Sequence, residues 1–173
     1  IYRFRNYNMP LVLFVLVLTI IGIFVIGSAN EDYQTKQIMG MTAGLAAMAV
    51  ISLINYEFLI KLEWVYYALV VIILTLVLFF GNNVGGATRW IELEAIGIRF
   101  QPSEAAKVLL VLFFSSFLMR HEEDLNTPRI IGLVIVLAAV PLLLIEKEPD
   151  LSTTIVTFLI IATMLYFGGL RYK

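Results

Sequence analysis

Apolar residues in this chain fall in long blocks. At about 9–29, 37–54, 64–80, 104–119, 130–145 and 151–168 the sequence is apolar on every side, with almost no charge inside a block. A strand with one wet face alternates with a period of two and a surface helix with 3.6, and the blocks follow neither; they are also too long for barrel strands. Hydrocarbon offers no partner to a backbone N–H or C=O, so such a block folds as a helix that satisfies its own backbone, and about 20 residues cross the core of a bilayer. The pattern predicts an all-α fold, a polytopic transmembrane helix bundle of six spans, with residues 1–173 forming one integral-membrane domain. Period-two alternation does occur at 90–100: Ile91 and Leu93 alternate with Glu92 and Glu94, and after Ala95, Ile96 and Gly97 the apolar residues return at Ile98 and Phe100. This predicts a short hairpin-like loop with its apolar side on helix ends or lipid.

Local chemistry refines the blocks. Pro141 removes one helical hydrogen bond from the fifth and predicts a kink. Gly40 and Gly44, with Ala43, Ala46 and Ala47, predict a surface where two helices approach closely. Gly81, Asn82 and Asn83 tolerate the left-handed conformation that closes a helix, and so end the third block. Pro102 suits the first turn of the fourth helix, with Gln101 or Ser103 as its cap, and Asp150 before Leu-Ser-Thr-Thr is a good N-cap for the sixth, its entry fixed by Pro149. No tandem repeat is evident.

Composition agrees with the blocks: of 173 residues, 61% are hydrophobic and 14% charged, against roughly a quarter charged in soluble domains. A formal net charge of −1 argues against a nucleic-acid partner, the lack of cysteine excludes disulfides and thiol catalysis, and a single histidine, His121, speaks against a histidine-based metal site. The basic start IYRFRNYN mimics a signal peptide, but the run Met9–Ala29 exceeds the roughly 7–15 residue core of such peptides and further runs follow. A first residue other than methionine, and an ending at GGLRYK just after a span, suggest a piece of a larger protein. With the N-terminus in the cytoplasm, the inner segments hold Arg3, Arg5, Lys61, Arg120, Arg129, Arg171 and Lys173, and the outer ones Lys36, Arg89, Arg99 and Lys147. Seven against four favours that orientation under the positive-inside rule, and puts the loops at 30–36, 81–103 and 146–150 outside.

Chemistry concentrates in GGATRWIELEAIGIRFQPSEAAK, residues 85–107, and in EKEPDLSTT, residues 146–154. Trp90 has the position of an interfacial anchor, the reading its position favours; the alternative is a stacking surface for a sugar or headgroup, with Arg89 as a phosphate clamp. Glu104 and Lys107 share a helix face at i, i+3. They could lie at the interface with Lys107 snorkelling outward, or form a partly buried ion pair facing a polar cavity, because nearly all the following twelve residues are apolar. Asp150 caps a helix and, with Glu146 and Glu148, places carboxylates on the same predicted surface. Together these residues outline an extracytoplasmic polar cleft for an amphiphilic, anionic ligand.

At this point GATRWIEL, IRFQPSEAAK and EPDLSTT resemble, in order, three signatures of the SEDS family (shape, elongation, division and sporulation: RodA, FtsW, SpoVE), namely G-x-x-RWI-x-L, FQPSE-x-x-K and QPDLGT. Glu94 stands where the family usually has glycine, and Glu148 and Ser152 where it has glutamine and glycine. The resemblance implies a peptidoglycan glycosyltransferase in the bacterial cytoplasmic membrane that polymerises lipid II, an undecaprenyl-pyrophosphate-linked precursor, beside a class B penicillin-binding protein and membrane lipids. It also implies that this chain is the N-terminal part and inactive alone, since the family's catalytic acid lies further along, beyond residue 173, and no position here matches it. In such a transfer a base deprotonates the acceptor hydroxyl, and the leaving pyrophosphate needs positive charge from Arg, Lys or a divalent cation. Arg89 and Lys107 would then serve the pyrophosphate, Trp90 would contact sugar or headgroup, Glu104 would orient Lys107, and Asp150 would line the site. Two other classes compete: a transporter or flippase of the lipid-linked precursor, and a noncatalytic membrane scaffold. A carrier needs polar residues at mid-membrane, and the middles of spans one, three and five are nearly devoid of them.

Overall fold

The computed structural model describes residues 8–84, 87–93 and 98–170, those at 82–84, 87–89, 92, 93, 98 and 99 by their backbone. It divides into two compact units, 1–56 and 57–173.

The first unit holds helices α1 (Met9–Ala29) and α2 (Glu31–Ser52), joined at Asn30. Asn30 closes one and opens the other: its N–H donates to the Ile26 carbonyl at 2.9 Å, and its Oδ1 accepts from the amide of Asp32 at 2.9 Å. That cap, with Glu31 and Asp32 complementing the helix dipole, starts α2 six residues before the predicted 37. Val12, Leu16, Thr19, Ile23 and Ile26 are partly covered on α1, as are Gln34, Gln37, Met41, Leu45 and Met48 on α2, the spacing of two helices packed lengthwise. At Gly27 the helices come close enough that a Cβ would displace the end of the Gln34 side chain. The predicted close approach at Gly40 and Gly44 does not involve α1: they and Ala43, Ala46 and Ala47 are exposed on the side α1 leaves uncovered, while Gly27 makes the close contact.

The second unit contains a short helix, α3 (Tyr56–Lys61), that the apolar pattern does not reveal, then α4 (Glu63–Phe80), strands β1 (Asn82–Val84), β2 (Ala87–Leu93) and β3 (Ile98–Phe100), and helices α5 (Pro102–Arg120), α6 (Pro128–Lys147) and α7 (Leu151–Phe167). The predicted hairpin is present. β2 and β3 pair antiparallel with Ile91 opposite Phe100, Glu92 opposite Arg99 and Leu93 opposite Ile98, and β1 adds a third strand on the other side of β2. The turn residues 94–97 lie outside the described residues. Gly81 does not close α4 in a left-handed conformation; its φ is −69° and ψ 144°, so the helix passes directly into strand, and Asn82 and Asn83 belong to β1 rather than to a cap.

Of the six predicted spans, four are confirmed by length and composition. Four described helices are long and apolar enough to cross a bilayer: α1, α4, α5 and α6. α7 is apolar but has 17 residues, and α2 has 22 but begins with the polar run Glu31 to Gln37. The chain is nonetheless a multi-pass membrane protein with an all-α bundle.

In lipid, apolar burial does little to drive helices together, so close packing must hold them. Phe113 of α5 is fully buried, with ring centroids of Tyr67 at 4.8 Å, Phe114 at 5.1 Å, Trp64 at 5.6 Å and Phe117 at 5.7 Å, pairs each worth about 0.5–1.5 kcal/mol beyond area. Val70, Leu74, Leu110, Val134, Leu137 and Ile161 complete this core between α4, α5, α6 and α7. Helix direction follows from contacts at the ends. Arg120 at the end of α5 pairs at 2.7 Å with Glu63 at the start of α4, so those two are antiparallel; Gln101, preceding α5, bonds Asp150, preceding α7.

α6 runs unbroken through Pro141, which is buried. Proline cannot donate to the carbonyl four residues back, that of Leu137. The Tyr67 hydroxyl of α4 donates to that carbonyl at 3.2 Å, so the missing bond is replaced from a neighbouring helix, the usual remedy in lipid. Tyr67→Phe is expected to lower stability of the full-length protein by about 1 kcal/mol, and by clearly less in a Pro141→Ala background, where residue 141 regains its own N–H. Thermal unfolding in detergent across the double-mutant cycle checks this; equal losses in both backgrounds would separate Tyr67 from Pro141.

Candidate functional site

α4 and α6 end, and α5 and α7 begin, at one end of the second unit, where the strands also lie; β2 packs on both α4 and α5. All five residues singled out from sequence belong to this end. Trp90 sits on β2, opposite Asn82 and partly buried. Arg89 precedes it on the same strand, and its side chain lies outside the described residues.

Pro102 occupies the first turn of α5, as expected, but neither predicted residue caps that helix. Gln101 instead extends its amide to Asp150, donating from Nε2 to Oδ2 at 2.9 Å. Ser103 is fully buried, and its hydroxyl finds no partner among the described residues. Lys107 Nζ meets Glu104 Oε1 at 2.8 Å. The i, i+3 pair forms, with the Lys107 side chain 19% exposed and that of Glu104 58% exposed. The cation is thus largely sheltered while its carboxylate stands in solvent.

Asp150 is 2% exposed. Besides the Gln101 amide, it accepts the Thr153 amide at 3.1 Å and the Ser152 hydroxyl at 2.9 Å through Oδ1. It is the predicted N-cap of α7 and also a latch between the start of α7 and the β3–α5 corner, which the sequence pattern did not disclose. Three donors favour the charged carboxylate.

Glu148, at the α6–α7 corner, has the opposite environment. It is fully buried, and neither carboxyl oxygen has a hydrogen-bond partner among the described residues. Burial, and then the charge of Asp150, push its carboxyl from the usual 4.5 up to about 7. The local sequence, a glutamate among other charges in a polar corner, reads as solvated surface, and only burial reveals it. Glu146 and Lys147, beside it, are exposed. Among the described residues no group of three or more His, Cys, Asp or Glu could hold a metal ion.

The cluster therefore combines a sheltered lysine with an exposed counter-ion, an aromatic on a strand, a fixed buried carboxylate and a buried carboxyl near neutrality. It can present positive charge and a flat surface at the membrane boundary.

Comparisons with known proteins concern this same region and the rest of the chain. The sequence pattern of FtsW/RodA/SpoVE cell cycle proteins matches residues 5–173. Peptidoglycan glycosyltransferase MrdB of Escherichia coli (strain K12) is 32% identical over 173 residues, covering 94% of this chain and 44% of MrdB. The crystal structure of Thermus thermophilus rod shape determining protein RodA matches with a TM-score of 0.85 at 25% identity, over 98% of this chain and 56% of that one. A chain of a peptidoglycan synthase complex, described for its structural coordination of polymerization and crosslinking, matches in fold with a TM-score of 0.84 at 23% identity, over 95% of this chain and 48% of that one. The chain spans about half the length of the curated relatives it matches.

A raised carboxyl pKa sets the sign of a pH effect. Glu148 binds its proton more tightly folded than unfolded, so its contribution is fully present below about 4.5 and is lost as pH rises to about 7. The loss is expected to be on the order of 2–3 kcal/mol, and Glu148→Gln should abolish it. Unfolding of the full-length protein in detergent at a series of pH values checks this; parallel curves for wild type and Glu148→Gln would rule it out. Asp150→Ala should cost about 2 kcal/mol at neutral pH, through the lost cap and latch.

Proposed function

The chain belongs to the FtsW/RodA/SpoVE family of cell cycle proteins, and from that membership we propose that the whole protein is a peptidoglycan glycosyltransferase. In this reading it polymerises lipid II at the outer face of the bacterial cytoplasmic membrane, with the N-terminus of this chain in the cytoplasm. Its partner is a class B penicillin-binding protein, a proposal supported by the fold match to a chain of a complex described as both polymerizing and crosslinking. The observation that carries the reading is the hydrogen bond from Gln101 to Asp150, which joins two of the sequence signatures at one helix-bundle end together with Trp90, Glu104 and Lys107.

In the proposed mechanism this region holds the leaving group, and the proton-abstracting acid lies in another part of the protein. Pyrophosphate departing from an anomeric carbon gains negative charge in the transition state, and fixed cations there stabilise it most where water is scarce. Lys107, sheltered and already oriented by Glu104, meets that condition; Arg89 adds a planar bidentate donor. Trp90 offers a face to the sugar or to the lipid headgroup. Asp150 acts by fixing α5 against α7, and so keeps Lys107 at its depth. A divalent cation, if used, would sit with the phosphates.

Single replacements Arg89→Ala, Trp90→Ala, Glu104→Gln and Lys107→Ala in the full-length protein with its transpeptidase partner are expected to cut lipid II polymerisation, the two cation losses by about 100-fold or more. Gel analysis of glycan products from labelled lipid II measures it. Wild-type rates in all four would remove the assigned roles.

A further inference from the structure

We propose that Glu148 is a positioning residue for this site: its proton keeps the α6–α7 corner at one negative charge, that of Asp150, and thereby keeps α5 latched to α7 through Gln101. Loss of the proton places a second charge in the corner and loosens the latch that sets the position of Glu104 and Lys107.

The argument rests on the contrast between two carboxyls two residues apart. Asp150 is buried but receives three donors. Glu148 is equally buried and receives none among the described residues. A carboxylate taken from water without donors is costly enough that the group neutralises instead. A neutral carboxyl is the form that suits the corner, and burial and Asp150 both act in that direction. The other charged groups at this end are Glu146 and Lys147 on α6, Glu104 and Lys107 on α5, and Arg89, Glu92 and Arg99 on the strands, these last three with side chains outside the described residues. Glu146 and Lys147 are exposed and Lys107 is engaged by Glu104; Asp150 is the charge that acts on Glu148. Ionising Glu148 therefore forces either the corner to open to water or Asp150 to yield its geometry, and Asp150 is the group that grips Gln101.

The proposal rests on the glycosyltransferase reading for its activity readout, so the test carries a second readout that does not. Wild type, Glu148→Gln and Glu148→Ala full-length proteins, each with the transpeptidase partner, are compared between pH 6 and pH 8.5. Lipid II polymerisation is measured together with hydrogen exchange at the Thr153 amide, which donates to Asp150, each value referred to an exposed amide of the same chain. Wild-type activity is expected to fall about tenfold from pH 6 to pH 8, following the protonated fraction, while Thr153 exchange rises. Glu148→Gln, which keeps shape and cannot ionise, should hold the wild-type pH 6 rate within about twofold throughout, with steady protection. Glu148→Ala should be slower at every pH, so that only the amide rescues. Identical pH profiles for wild type and Glu148→Gln in both readouts would overturn the proposal. If wild type polymerises nothing at any pH, the glycosyltransferase reading fails and the exchange data still decide on Glu148; if Glu148→Ala does not fold, the glutamine comparison decides alone.

Discussion

The carboxylate of Asp150 does two structural jobs at once, and the arrangement of the candidate site depends on their being one group. One oxygen closes the amide end of α7 through Thr153 and Ser152, and the other receives the amide of Gln101. A cap on an exposed helix is worth about 1 kcal/mol and is local. Here the cap is buried and its second oxygen reaches across 49 residues of sequence, so the start of α7 cannot move without moving the start of α5. A buried charge is tolerated only with enough donors, and that requirement makes the geometry specific: every donor removed makes the remaining carboxylate less tenable. Glu148, two residues earlier and without donors among the described residues, shows what the same chemical group costs when the requirement is not met.

Much of this was legible in the sequence, and the reasons differ by residue. Helix positions followed from apolar blocks because hydrocarbon leaves a backbone few alternatives. The hairpin registered through alternation at Ile91, Leu93, Ile98 and Phe100, since period two is a local property. Asp150 as a cap was readable because capping involves residues three apart. Gln101 as its partner was not, because the bond depends on which helices are neighbours. The replacement of the Pro141 bond by Tyr67 and the burial of Glu63 and Glu148 were hidden for the same reason. The two spans left unconfirmed are those whose composition is graded: α2 begins polar and α7 has 17 residues. For Arg89 the structure adds its strand and its neighbour Trp90, and its role stays with the proposal.

The distribution of polar groups through the second unit bears on transport against surface chemistry. One end carries Gln101, Glu104, Lys107, Glu148 and Asp150; the other carries Glu63 and Arg120. Between them lie Val70, Leu74, Leu110, Phe113, Phe114, Val134, Leu137 and Ile161, packed ring on ring and methyl on ring. Hydroxyls interrupt this layer singly, among them those of Thr157, of Tyr67, which donates to Leu137, and of Ser116, turned to the Leu112 carbonyl of its own helix. A relay for a polar headgroup needs successive partners spaced along the path, and isolated hydroxyls in a close-packed layer do not supply them. Within this unit the chemistry is confined to the ends.

The Glu104–Lys107 pair shows how a site can hold positive charge at a membrane boundary before its ligand arrives. A lone lysine beside hydrocarbon would snorkel away toward water. Pairing with Glu104 holds the ammonium in place, yet the pair is asymmetric: the carboxylate is exposed and the ammonium is largely sheltered. An exposed partner gives up little when water replaces its bond, since surface ion pairs contribute about 0–1 kcal/mol. An incoming phosphate brings more charge and more acceptor oxygens to the same ammonium. Under the proposed function, exchange of Glu104 for phosphate would cost the protein little and would leave Lys107 where the Asp150 latch has set it. On that proposal Glu104 would serve as a placeholder that phosphate displaces, and charge-neutral replacement there should disturb the lysine more than it disturbs the fold.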